Sequence, residues 1–180
     1  MPCPEGWQPA LVHALALWMN QALGNIGRTV TFTKPARDRA ASLAELVAEL
    51  STSQVNTLVI LGGNPVYNAP ADLRFGEALQ RVGFSAHLSL YEDETSAVCL
   101  WHIPEAHALE AWSDARAWDG TTTIMQPLIS PLYGGKSAHD VLAGLSSSPG
   151  RGGYEQVRDT WKGFATQAGI ADFEAFWRQS

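Results

Sequence analysis

The chain has 180 residues, 46% of them hydrophobic and 17% charged, which suits one folded domain and excludes a disordered chain. Twelve Lys and Arg against eighteen Asp and Glu leave a formal charge of -6, without the basic stripe that a nucleic-acid interface needs. The cations are scattered, so no polybasic run addresses an anionic membrane, and no apolar run approaches the roughly 20 residues that span a bilayer. Cys3 and Cys99 are the only cysteines and form no C-x-x-C pair; two such isolated cysteines are more often free thiols than a disulfide. A four-cysteine cluster site cannot be built from them.

In chain order, Leu11, Ala14, Leu15, Trp18, Ala22 and Leu23 recur at helical spacing, predicting a helix from about Pro9 to Leu23. Gly24-Asn25 stops it, because both residues tolerate the left-handed backbone that ends helices. Thr29 to Phe32 is rich in β-branched residues and predicts a short strand. Lys34 to Ala41 is polar, contains Pro35 and reads as a loop. Ser42 and Glu45 have capping-box spacing ahead of a helix with Leu43, Leu46, Val47 and Leu50 on its core face.

Thr57 to Pro65 is the central stretch. Its apolar run ends in Gly62-Gly63-Asn64-Pro65, which predicts a strand buried on both faces of a parallel sheet. Pro65 biases Asn64 towards extended backbone, so no helix is expected at once. The next helix is expected from Pro70 to about Val82, stopped by Gly83, and the next strand from Phe84 to Tyr91. Alternating helices and strands predict an α/β fold with a parallel sheet. Ligands of such sheets gather beyond the carboxyl ends of the strands, where Gly62, Gly63 and Asn64 would lie.

Glu92-Asp93-Glu94-Thr95 follows at a strand end, then a short apolar segment from Ala97 to Ile103. Paired acids are one use of that cluster, and a helix start or solvated loop is the commoner one. Asp119-Gly120 marks a tight turn, and Gln126 to Tyr133 reads as extended because Pro127 and Pro131 forbid both helix and central strand. Ser137 caps a short helix to about Leu145, and Ser146 to Gly153 has linker composition. Two final helices follow, the first with Tyr154, Val157, Trp161 and Phe164, the second with Phe173, Phe176 and Trp177. The domain reading is an α/β domain over 1–146, a linker over 147–153 and a helical extension over 154–180.

Motifs for chemistry are sparse. Gly135-Lys136-Ser137 looks like the end of a phosphate-binding loop, but the glycine required five residues earlier is Ser130. No serine sits in a G-x-S-x-G elbow. His102, His107, Glu110 and Asp114 match no usual zinc spacing, and hydrogen-bonding roles are the commoner use of such side chains. Trp101, Trp112 and Trp118 suit burial or a partner surface. On these residues alone, the chain is an α/β binding domain of unknown partner.

Several stretches in a shared order resemble a known family. They are Val12-His-Ala-Leu15 with Asn20 to Gly27, Leu61-Gly-Gly-Asn-Pro-Val-Tyr-Asn-Ala-Pro70, Leu88 to Ser96, and His107 to Asp114 with Asp119-Gly120 and Gln126 to Tyr133. Together they resemble the molybdopterin oxidoreductase superfamily. Within it they are most similar to the large iron-sulfur subunit of alternative complex III, the bacterial quinol-oxidising respiratory complex. The resemblance runs from about Pro9 to Trp177 and implies a Rossmann-like parallel-sheet domain with a C-terminal helical extension.

It also implies that Gly62, Gly63 and Asn64 descend from a loop that lies against molybdopterin guanine dinucleotide. The complex III subunit is a relative that has lost this cofactor and carries iron-sulfur clusters in a separate ferredoxin-like part. This chain is therefore expected to be a fragment of the larger subunit, holding no cofactor itself and serving as a non-catalytic scaffold. Its expected partners are other domains and subunits of a membrane-associated respiratory complex, with no nucleic acid and no membrane span of its own. The resemblance places the parent on the periplasmic side of the bacterial inner membrane. The opening residues Met1 to Trp7 lack the pattern of an export signal, so the chain expressed alone is expected to be cytoplasmic. Two alternatives stay open: a fragment of a catalytic molybdenum enzyme that keeps part of its nucleotide site, and a free-standing α/β domain for an unrelated small ligand.

Overall fold

A computed structural model describes residues 8–33, 41–117, 119–146 and 149–179. The chain divides into two compact units: the described residues before 34 belong to one, with 119 and 120, and the remainder to the other. The predictions for Lys34 to Ala40, Cys3, Trp118 and the middle of the 146–153 linker lie outside the described residues.

In the first unit, helix α1 spans Ala10–Ala22, close to its predicted bounds. Gly24 follows at φ +67, the left-handed stop that its sequence position predicts. The expected apolar face is not buried: Leu11, Leu15, Trp18 and Leu23 are exposed, whereas Ala16 and Asn20 are buried. Asn20 spans the turn, donating from Nδ2 to the Ala16 carbonyl at 2.9 Å and accepting from Asn25 Nδ2 at 2.9 Å. The strand expected over Thr29 to Phe32 does not form. A single parallel bridge, Ile26 with Val30, stands in its place, because the Asn25 carbonyl accepts from Arg28, Thr29 and Val30 and curls the segment on itself.

The second unit is mixed α/β. Helix α2 (Leu43–Ser51) opens with the predicted capping box, Glu45 N donating to Ser42 Oγ and Ser42 N to the Glu45 carboxylate. Its predicted face packs as expected: Val47 and Leu50 are buried, with Leu43 and Leu46 beside them. Strands β1 (Thr57–Leu61), β2 (Phe84–Ser89) and β3 (Trp101–Pro104) form a parallel sheet in the order β1-β2-β3. The burial expected on both faces of β1 is a correction. β1 is an edge strand, half-buried in the middle and exposed at Thr57 and Leu61; β2 holds the centre.

The helix expected over 70–82 is also corrected, because it is broken. Helix α3 (Pro65–Asn68) begins at once, a 3-10 turn covers Ala71–Leu73, and α4 (Phe75–Leu79) follows. Asn64 stays outside the helical region without being extended (φ -133, ψ 70), and Pro65 suits the first helical position, where no amide hydrogen is needed. Arg74 divides the rest by taking φ +49, a left-handed value that L residues rarely adopt. Phe75, Ala78 and Leu79 from α4 close the core with Val47 and Leu50, and Leu58 and Ile60 line it from β1.

The segment from Ala97 to Ile103 divides between α5 (Glu94–Val98) and β3. Strands β4 (Ser113–Arg116) and β5 (Thr122–Met125) form an antiparallel hairpin not foreseen in the sequence, joined through Asp119-Gly120 with Gly120 at φ +91. Residues 126–133 hold neither helix nor strand, as their prolines require. Helices α6 (Ala138–Leu145), α7 (Gly153–Gln167) and α8 (Phe173–Gln179) match the three expected last. α7 lies on β4, where Trp161 Nε1 donates to Asp114 Oδ2 at 2.9 Å. Trp112, Tyr154 and Trp177 form an aromatic cluster there, with centroids 4.9 to 6.3 Å apart.

Candidate functional site

The Gly62-Gly63-Asn64 loop leaves β1 at the carboxyl end of the sheet. Gly62 and Gly63 take φ +68 and +74, where a side chain is strained, although an added Cβ at either would meet nothing within 4 Å. Glycine is thus needed for backbone direction and not to make room for another part of this chain. Helix α5 grips the loop from the next crossover. Thr95, fully buried, donates from Oγ1 to Asn64 Oδ1 at 2.7 Å and accepts from Val66 N at 3.0 Å. Asn64 Nδ2 donates to Glu94 Oε2 at 2.6 Å, and Gly62 N donates to the Leu88 carbonyl at 2.8 Å.

A second layer of contacts passes through β2. Ser85, His87 and Ser89 alternate along one face, all buried, while Ala86 and Leu88 occupy the other. His87 Nε2 lies 2.9 Å from the Gly63 carbonyl and Nδ1 lies 2.9 Å from Ser96 Oγ. Ser96 Oγ also lies 2.9 Å from His102 Nδ1, on β3. Asp93 caps α5 by accepting from Ser96 N at 2.9 Å, with its Oδ1 3.5 Å from His87 Nδ1. Burial alone would raise the Asp93 carboxyl, but the Ser96 amide, the His87 ring, the Ser96 hydroxyl and the Thr95 amide together hold it below the ordinary carboxylate range. Ser85 Oγ accepts from Leu100 N at 3.0 Å, and the Ser89 hydroxyl donates to the Tyr91 carbonyl. No buried side-chain polar atom among the described residues lacks a partner.

The three residues singled out from the sequence thus lie together at the predicted end of the sheet. For a guanine dinucleotide the fit is poor: the Asn64 amide is engaged on both sides, and its nearest charged neighbour, Glu94, would repel a phosphate. The other candidates do not converge. Leu109 N donates to His107 Nδ1, Glu110 accepts from His107 N and Leu132 N, and Asp114 holds Trp161. Among the described residues, no group of three His, Cys, Asp or Glu could hold a metal ion. The acidic run 92–94 serves as a helix start and as the partner of Asn64.

Gly135-Lys136-Ser137 has a structural explanation. A Cβ on Gly135 would lie 2.9 Å from Ala106 N, and Lys136 extends the β3 line through a bridge to Glu105. Ser137 caps α6. Cys99 is half-buried, and burial pushes its thiol up despite a hydrogen bond from Ser85. Trp101 is exposed.

Sequence reasoning passed over His87, Thr95 and Ser96. The available signal was the Ser-x-His-x-Ser alternation in a strand that the topology makes central. Polar residues at that period imply buried polar groups with dedicated partners. No protein-family model matches the chain, and no curated protein is similar enough to count as a relative.

Proposed function

We propose that this chain is a non-catalytic scaffold domain of a bacterial quinol-oxidising respiratory complex, related to the molybdopterin oxidoreductases and without their pterin cofactor. The observation that carries the reading is the way the chain occupies its own loop. Asn64 is engaged by Glu94 and Thr95, the Gly63 carbonyl by His87, and the Glu94 carboxylate beside Asn64 would repel a phosphate there. Such a loop keeps its shape without a ligand. The resemblance of Leu61–Pro70, Leu88–Ser96 and His107–Tyr133 supplies the family and, with it, the Rossmann-like ancestry of the sheet.

A scaffold needs a surface for its neighbours, and residues 126–133 offer one. The Leu109 carbonyl accepts from Leu128 and Ile129, and Glu110 accepts from Leu132, so the loop is braced from beneath. Leu128, Leu132 and Tyr133 are 76%, 70% and 87% exposed, a cost in water that a packed neighbour would remove.

The test is titration of the purified chain with guanine nucleotides, following the Gly62, Gly63 and Asn64 amides by NMR, together with metal analysis. No perturbation and no stoichiometric molybdenum or iron are expected. Saturable binding at Gly62 and Gly63 would overturn the scaffold reading in favour of a catalytic fragment. In the gene, a cysteine-rich ferredoxin-like segment encoded after Ser180 is the expected neighbour.

A further inference from the structure

The contacts around His87 dictate where their protons lie. The Gly63 carbonyl can only accept, so His87 Nε2 carries hydrogen. In the neutral ring Nδ1 must then accept, and the Ser96 hydroxyl is the donor at 2.9 Å. With that hydrogen on His87, and not on its longer alternative, the Tyr91 carbonyl at 3.5 Å, or on the Asp93 carboxylate, Ser96 Oγ accepts from His102, which then holds hydrogen on Nδ1. One arrangement satisfies all three contacts with both rings neutral.

A proton added to His87 goes to Nδ1 and reverses the chain. The proton enters from solvent on His102 Nε2; the His102 Nδ1 hydrogen passes to Ser96 Oγ as the Ser96 hydrogen passes to His87 Nδ1, so that Ser96 then accepts from His87 and points its new hydrogen at His102 Nδ1. The charge so created on His87 lies 3.5 Å from the Asp93 carboxylate and strengthens the donation from Nε2 to Gly63. His87 is fully enclosed, whereas His102 is only half-buried, so protons arrive through His102. Among the elements packed on β2, β1 contributes no titratable side chain and β3 contributes His102. Asp93 and Glu94 come from the start of α5 and Cys99 from its end, while Tyr91, Glu92 and Glu105 stand at the carboxyl ends of the strands.

We propose that His102, Ser96 and His87 form a proton relay, with Asp93 as counter-ion, that tightens the clamp on the Gly63 loop when the buried imidazole becomes charged. This device depends only on these contacts and stands apart from the scaffold reading. The charged ring makes the loop firmer and the neutral ring leaves it looser.

Long-range 15N NMR of the intact chain tests it directly. In the neutral form, His87 is expected as the Nε2–H tautomer and His102 as the Nδ1–H tautomer, with the Gly63 and Asn64 amides shifting as the rings become charged. A His87 ring carrying Nδ1–H when neutral, or loop amides that ignore both titrations, would overturn the relay. In Ser96→Ala the two rings are expected to titrate independently, and the loop should lose its response to His102; a retained response would also overturn it. Should that variant fail to fold, Ser96→Thr keeps the hydroxyl, and the wild-type titration decides by itself.

Discussion

Thr95→Val is the sharpest test of the grip on the Asn64 loop. Valine matches threonine in shape, so the fully buried site gains neither a cavity nor a clash, and only the hydroxyl is lost. Two hydrogen bonds go with it, the donation to Asn64 Oδ1 at 2.7 Å and the acceptance from Val66 N at 3.0 Å. At about 1 kcal/mol net for each bond, the loss is about 2 kcal/mol. Stranding of the half-buried Val66 amide adds to this, while the Asn64 oxygen can recover part through water. With an m-value of about 2 kcal/mol/M, the urea midpoint of the sheet-bearing unit should fall by about 1 M. Hydrogen exchange at Val66 should quicken with it. Thr95→Ser keeps both bonds and should lose about half as much or less, from the missing methyl. A Thr95→Val midpoint within about 0.2 M of wild type, or a serine variant as weak as the valine one, would refute the assignment.

Gly63→Ala should cost about 1 kcal/mol, because φ is +74 with open space around the new Cβ, so only the left-handed backbone resists. Gly135→Ala should cost about 2 kcal/mol or more by thermal melting, since its Cβ meets the Ala106 backbone at 2.9 Å; the opposite ranking would contradict both explanations. Leu79→Ala, at 1% exposure in the core under β1, should lose about 3 kcal/mol in urea titration, and a loss under about 1 kcal/mol would mean that the core is misassigned. The Asp93 carboxyl is held below its ordinary value in the folded chain, so its contribution is present above the unfolded value and disappears as pH falls through the folded one. Wild type should therefore lose more stability than Asp93→Asn between about pH 5 and pH 2, and parallel pH curves would rule this out.

The sequence was most legible where a local rule has no rival. Ser42 with Glu45, and Ser137 ahead of α6, cap helices because a hydroxyl in that position satisfies orphan amides without help from tertiary structure. The parallel sheet and the site of Gly62-Gly63-Asn64 at its carboxyl end followed from alternation of elements. Legibility failed where packing outvoted pattern. Thr29 to Phe32 has strand-forming residues, yet the Asn25 carbonyl gathers its amides into a turn. An apolar run such as Thr57 to Leu61 looks the same at the edge of a sheet as at its centre, and only strand order separates the two. His87 was passed over because its partners, Gly63, Asp93 and Ser96, are spread over two connections that no window on the sequence unites.

That spread bears on how the sheet comes apart. The edge strand of a small sheet usually frays first, with its amides exchanging from a local opening while the rest stays folded. Here, peeling β1 from β2 would draw the Gly63 carbonyl away and leave a wholly enclosed imidazole N–H with no acceptor, a penalty charged to the centre of the sheet. Loss of α5 or β3 would disturb the same ring through Ser96. Three strands and one short helix are thereby made to open as a single cooperative unit, and the edge inherits the protection of the middle.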